Sequence, residues 1–600
     1  MSPKPRVRIA NCSGFYGDRF GAAREMVEGG AIDYLTGDYL AELTMAILAR
    51  DRAADPEAGF ARTFLAQMEE VLGTCLERGV RVVVNAGGLN PAGLACRLAE
   101  LSERLGLAPK IAHIAGDEVT ERLGALQGAG HELCSMTTGA PLASLERPIL
   151  CANAYLGARA IVEALDRGAD IVVAPRVTDT ALVVGPAAHH FSWAADDWDR
   201  LASAVVAGHL IECGTQCTGG NYALFEEIED WGAFGFPFVD VEASGEFTVG
   251  KHEGTGGAVS VGTVTAQLLY EIGGIGYVTP DAVARFDTIR LEQTGRDRVR
   301  VSGVRGEPAP DHVKVGIVYA DGYRWAGELG LAGADFEAKA RLCEEQFWRE
   351  NGGRERFAST RSEVLRVPAV DPDSSTQAVG VLRLAVKDLD AARVGREQFD
   401  ALVRMALASV PGIVISPDTP RRSTLCAGFW GALLPEGELR VRVFVDGEAI
   451  EVAPPALPPP SAASADPPSA ARAAAAVAPP TGPTARVPLG RVLGARSGDK
   501  GGDASLGFWA ADPRTYAWAA DFLSSERLAE LLGGDRDLAL ERSLLPNLLA
   551  ISFLLPGFLA EGAGASLLPD AQAKGLAESV RARAVDVPRA LLGAPAAGAD

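Results

Sequence analysis

Short, uninterrupted apolar runs, each closed by a polar cluster bearing glycine or proline, recur through the first 180 residues and predict a buried parallel sheet. RVRIANC (6–12), RVVV (81–84), KIAHIAGDEV (110–119) and IVV (171–173) have the length and composition of strands covered on both faces. Helical spacing fills the intervals at about 38–50 and 60–78, and Pro91 stands where a helix starts. The clearest unit lies at 151–185. Asn153 reads as a helix N-cap, and Ala158, Ile161, Val162 and Leu165 follow at i, i+3, i+4 and i+7. Gly168 ends that helix and Ile171–Val173 is the next strand. Strands and helices alternating at this spacing define an α/β fold class, a parallel sheet with flanking helices.

After about residue 240 the pattern changes to short segments rich in Val, Tyr and Thr, which predict antiparallel pairing. A helix at about 334–349, the β-α-β order of VLRLAVKD, 396–409 and GIVIS, and a hairpin turning at Asp446-Gly447 give an α+β continuation. Residues 453–485 are Pro/Ala/Ser-rich and hold almost no large apolar side chain, so they read as a linker. Residues 486–590 regain strand and helix patterns as a compact C-terminal α+β domain, and 591–600 form a tail of small residues. The division is therefore 1–452 (an α/β half to about 240, an α+β half from 241), the linker, the C-terminal domain and the tail.

Composition narrows the class. With 57 basic and 78 acidic residues the formal charge is −21, which disfavours a nucleic-acid surface. Nine cysteines without regular spacing read as reduced thiols. The opening MSPKPRVRIA has no apolar signal region and no run of about 18 apolar residues occurs, so a cytoplasmic protein without membrane contact is expected.

Open α/β sheets bind ligands beyond the carboxyl ends of their strands, and the polar residues of the chain gather at those ends. Arg176 suits a carboxylate or phosphate anchor and Asp179 an acid/base group; an ion pair capping the next turn is the alternative. Asn85, Gly87 and Gly88 form either an anion cradle or a tight strand-to-helix turn. His209 and Glu212 share one helix face, three residues apart, and either suits a general base. Zinc would require a ligand spacing that GHLIECGTQC lacks, so no metal is assigned. Lys251 and His252 enter a glycine-rich loop that is either a binding loop or a solvated turn. In the C-terminal domain, Arg496, Ser497, Asp499, Lys500 and Asp503 of ARSGDKGGDAS dock onto the first unit, bind a ligand or form a solvated surface loop. Neither a P-loop nor GxGxxG is present, which disfavours nucleotide hydrolysis and NAD. Asn85, Asp117, Arg176 and Asp179 are expected to line one cleft with residues from 209–221 and 251–257.

CSGFYGDR, DYLTGDYLAELTM, NAGGLNPAG, GARAIVEALDRGADIVVAPRVTDTALVVGP, GHLIECGTQCTGGN and KHEGTGGAVS together resemble the acyclic terpene utilisation protein A family. ARSGDKGGDASLG, LLPNLLAISFLL and DAQAKGLAESV resemble the small ferredoxin-fold domain that accompanies it, with Ala573 where a glycine is expected. The resemblance implies a place in bacterial breakdown of geraniol- and citronellol-type terpenoids, whose intermediates are branched acyl-CoA thioesters. Beside that resemblance, the leading reading of the site residues is an enzyme of hydratase, lyase or isomerase type acting on a branched acyl-CoA or carboxylate. In that reading Asp179, His209 and Glu212 are the catalytic candidates, and Asn85, Gly87, Gly88, Asn153, Arg176, Lys251 and His252 bind substrate. No cofactor is expected; a CoA thioester would enter as substrate. Partners would be acyl-CoA carboxylase or other enzymes of the pathway, and a second copy of the chain in a homo-oligomer. The alternative is a non-catalytic scaffold that binds acyl-CoA enzymes through the small domain.

Overall fold

The computed structural model describes residues 5–454, 477–533 and 539–592. The first 251 residues supply strands β1 (Arg6–Asn11), β2 (Tyr34–Gly37), β3 (Arg81–Val84), β4 (Ile111–Ala115), β5 (Ile149–Ala154), β6 (Ile171–Val173), β7 (Pro237–Glu242) and β8 (Phe247–Lys251). Five of them run parallel in the order β1-β2-β3-β6-β4 and form the centre of an eleven-stranded mixed sheet. The apolar runs follow from burial on both faces. Val83 and Val172 point into one core, while Val82, Val84, Ile171 and Val173 point into the other. Each such side chain contributes about 1.5–3 kcal/mol when fully buried, so this short sheet centre needs no polar face.

Two local readings change. β2 lies within a stretch that carried no predicted strand; its four residues sit between Asp33 and Asp38 and pair with β1 and β3. Asn153 is not a helix cap. It lies in β5, which pairs antiparallel with residues 315–319, and the helix Arg159–Asp166 starts later, at Ala158. A local pattern cannot reveal a partner strand some 160 positions away.

The α/β and α+β halves share the main sheet. β7 pairs antiparallel with β1, β8 with β7, and Arg442–Val445 with β4 on the opposite side. The predicted hairpin at Asp446-Gly447 is present, with Arg442–Val445 paired to Glu448–Glu451. A second sheet is organised by the 21-residue strand His312–Ala332, which pairs with β5, Val379–Asp388, Ile413–Ile415 and Thr424–Pro435.

Most of the predicted linker, residues 455–476, lies outside the described residues, as does nearly all of the tail at 593–600. The C-terminal domain begins with Thr484–Pro488, paired to Ala584–Pro588. Its four-stranded antiparallel sheet joins Leu493–Lys500, Asp503–Ala510, Ala550–Leu555 and Glu541–Leu545 in that order. The domain has its own core around Leu506, Phe508 and Phe553. It is also bonded firmly to the rest of the chain: Trp509, Leu545 and Leu548 join the main core, and Trp509 stacks on Tyr222 at 6.0 Å. All nine cysteines are free thiols, and no helix among the described residues is long and apolar enough to cross a membrane.

Candidate functional site

Because β1, β2, β3, β6 and β4 are parallel, the loops after them gather on one edge of the sheet. Asp38 follows β2, Asn85 follows β3, Asp117 follows β4 and Arg176 follows β6. Asn85 locks the first two loops together: its Nδ2 donates to Asp38 Oδ1 at 2.5 Å and its Oδ1 accepts from the Tyr39 amide at 2.8 Å. Asp117 joins the next two, accepting from Asn153 Nδ2 at 2.7 Å and from the Arg176 amide at 3.3 Å.

Arg176 is the centre of the arrangement. Its guanidinium lies 4.1 Å from the centre of the Tyr155 ring, and Nη1 donates to Asp179 Oδ1 at 2.6 Å. The Arg176 side chain is only 4% exposed, whereas that of Asp179 is 31% exposed. The ion pair therefore has a buried positive end and a carboxylate at the edge of open space. Arg176 Nε has no hydrogen-bond partner among the described residues. Burial works against the Arg176 charge, but Asp179, Tyr155, Glu42 and Asp38 around it outweigh that effect.

The carboxyl groups facing Asp179 behave differently from one another. Burial, then the Asp179 charge, holds Asp38 well above the usual carboxylate range, and burial with Asp179 and Glu271 does the same to Glu212. Burial would also raise Glu42, yet Lys314 and Arg176 bring it down to about 2. Lys314 Nζ stands 3.5 Å from Glu42 Oε1, between the rings of Tyr155 and Phe429 at 4.7 and 4.9 Å. The recess thus holds raised and lowered carboxyls side by side, which is the condition for acid and base roles at one pH.

The C-terminal domain forms the remaining wall. Lys500, at the tip of the hairpin made by Leu493–Lys500 and Asp503–Ala510, donates to the Glu271 carbonyl at 2.9 Å. Lys574 contacts the Tyr270 hydroxyl and lies 3.6 Å from Asp499 and 3.7 Å from Glu271. Arg496 donates to the Asn221 carbonyl at 3.2 Å and contacts Gln216. Of the three readings of ARSGDKGGDAS, docking is thus observed, through Arg496 and Lys500.

The other expected residues fall into two groups. His209 is buried behind Glu212, with Nδ1 at 3.2 Å from Glu212 Oε1, and burial lowers its ring to about 4. The contact between this imidazole and the raised Glu212 carboxyl orients Glu212. Asn153 acts through Asp117, and its Oδ1 has no hydrogen bond among the described residues. Gly87 and Gly88 do not present free amides: their N–H groups donate to Ala174 and Asn85 carbonyls at 3.1 and 3.2 Å. They are glycines because of space. A Cβ on Gly87 would meet the Ala174 oxygen at 2.6 Å, and Gly88 has φ +50°. Lys251 and His252 lie on the same sheet edge but two strands beyond β1, engaged locally. Lys251 Nζ donates to the Thr255 carbonyl at 2.7 Å and stands 3.2 Å from Asp297, and His252 Nε2 lies 3.0 Å from the Met26 carbonyl.

Sequence reasoning missed Asp38, Glu42, Tyr155, Glu271, Lys314 and Lys574. Asp38 alone had a local signal: Gly37-Asp38 closes the run YLT just as Gly116-Asp117 closes β4. Among the described residues no three His, Cys, Asp or Glu side chains stand together as a metal-holding group.

No curated protein matches the chain. A family profile described as acyclic terpene utilisation family protein AtuA matches residues 7–445, and one described as the AtuA ferredoxin-like domain matches residues 487–586. With its first 445 residues covered almost throughout by the one and its C-terminal domain by the other, the chain belongs to the AtuA family, implicated in acyclic terpene utilisation.

Proposed function

We propose that this chain is an enzyme of acyclic terpenoid or branched-chain acyl-CoA breakdown that moves protons beside the carbonyl of a branched acyl-CoA or carboxylate. Hydration, C–C cleavage and isomerisation all have this requirement. The observation that carries the reading is the half-buried Asp179 carboxylate, held 2.6 Å from buried Arg176 and facing the raised carboxyls of Asp38 and Glu212. Asp179 is the base, Glu212 or Asp38 the acid, and Lys314 the cation nearest a developing oxyanion. His209 is a positioning residue for Glu212 and does not itself meet substrate.

The test is a turnover screen of branched acyl-CoA thioesters and the free acids, run in parallel on the native protein and Asp179→Asn. Turnover by the native chain that falls by about 10²-fold or more in the variant supports the assignment. A native chain inactive across the screen that nevertheless captures acyl-CoA carboxylase or another pathway enzyme in a pulldown would favour the scaffold reading instead.

A further inference from the structure

Ser359–Arg366 is an outermost strand of the second sheet and pairs with Val379–Asp388 on one side alone. Among the described residues its backbone makes no hydrogen bond on the other side. The opposite edge of the same sheet is Ile413–Ile415, three residues long, and so short a strand offers little to pair with. Ser359–Arg366 is not blunted in that way. It has eight residues, holds neither lysine nor proline, and leaves Val364 49% and Leu365 42% exposed.

The register fixes which face each side chain takes. Thr360 stands opposite Val386 and Val364 opposite Leu382, both core residues. Ser362 Oγ accepts from Trp348 Nε1 at 3.2 Å and from Arg354 Nη2 at 3.0 Å, so 360, 362 and 364 face the helix Phe336–Glu350. Arg361 and Glu363 take the other face, where they contact each other and Glu363 Oε2 lies 3.6 Å from Arg383 Nη1. A register shift between Val364 and Arg366 ends the straight run.

We propose that residues 360–364 pair antiparallel with the same residues of a second copy of this chain, about a twofold axis at Ser362. On one face Arg361 then stands opposite the partner's Glu363, and Glu363 opposite the partner's Arg361, so opposite charges meet twice. On the other face Thr360 meets the partner's Val364, a β-branched pair, also twice. Centring the axis on Arg361 or on Glu363 would instead set like charges against each other, which selects Ser362. This self-complementarity is what a twofold interface requires, the same patch serving both subunits, and it favours a second copy over an unrelated strand.

The experiment is analytical ultracentrifugation of the full chain over about a hundredfold range of concentration from low micromolar. It compares the native protein, Arg361→Glu, Glu363→Arg, an equimolar mixture of these two variants, and the double variant with both changes in one chain. The native chain should approach twice the monomer mass. Arg361→Glu sets carboxylate against carboxylate and Glu363→Arg guanidinium against guanidinium, so each alone should associate at least about tenfold more weakly. In the mixture every facing pair is again opposite in sign, and the dimer should return. The double variant is self-complementary and should dimerise like the native chain. A role for Arg361 and Glu363 only within one chain would not respond to mixing. A native chain that stays monomeric throughout overturns the proposal, and so do single variants that associate as the native does. Single variants that are folded by circular dichroism yet stay monomeric when mixed overturn it too. Should a single variant fail to fold, a folded but monomeric double variant overturns it.

Discussion

Arg176 and Asp179 are joined at 2.6 Å across the boundary between the core and the recess, the guanidinium inside and the carboxylate at the water. This asymmetry decides what each substitution does. Removing the Asp179 charge leaves Arg176 with Glu42 as a further negative neighbour. The stability loss of Asp179→Asn should therefore stay below about 2 kcal/mol, less than for a pair buried at both ends. Differential scanning calorimetry checks this. Arg176→Met, which strands several carboxylates at once, should lower the melting temperature distinctly more.

Asp117 gives a pH prediction with a definite sign. Burial pushes its carboxyl up to about 7, above the ordinary value in an unfolded chain, so the native state holds this proton more tightly. The stabilisation is complete below about pH 4 and is lost as pH rises through 7. Asp117→Asn removes the titration and retains an acceptor for Asn153. The stability difference between native protein and variant, followed by denaturant unfolding at pH 5 and pH 8, should shift by a few kcal/mol in the variant's favour at the higher pH. A pH-independent difference would contradict the burial of Asp117.

The contacts of Trp509, Leu545 and Leu548 with the main core predict that the C-terminal domain does not depend on covalent attachment to stay in place. A site-specific protease sequence introduced at 462–468 and then cut should leave both pieces co-eluting in size-exclusion chromatography. Trp509→Ala, which deletes the stacking on Tyr222 and should cost about 3–5 kcal/mol, should make the cut pieces separate.

Gly88 tests whether the turn after β3 is structural. A Cβ there would stand 2.4 Å from Leu48 Cδ1 and 2.9 Å from the Gly59 oxygen, on a backbone at φ +50°. Gly88→Ala should lose more than about 1 kcal/mol of stability in thermal unfolding. A variant as stable as the native protein but defective in ligand binding would restore the cradle reading.

The strand ends were legible because they depend on local order. An apolar run followed by Asn85, Asp117 or Arg176 places those residues on one edge once the strands are parallel. Ala573 was legible in the same way: where the resemblance called for glycine, the backbone has φ +52°, and the Ala573 carbonyl accepts from Ser497 Oγ at 2.6 Å. The rest depends on pairings that no window contains. Lys314 enters the recess because residues 315–319 pair with β5, and Glu271 faces it because residues 496–500 dock there. Asn153 had the signature of a cap but served a strand. The local preference was real, and a non-local ladder overrode it. Lys251 and His252 had the residue types of a binding loop, yet their polar atoms are taken by Thr255, Asp297 and Met26.

The hairpin at 493–510 also orders events in time. Everything the strand ends contribute to the recess lies within the first 180 residues, while Lys500 and Lys574 follow some 320 residues later or more. Until they dock, Glu271 has neither Lys574 nor Asp499 beside it and that side of the site is open to solvent. The ribosome therefore delivers the closing wall last, after the groups that it must cover.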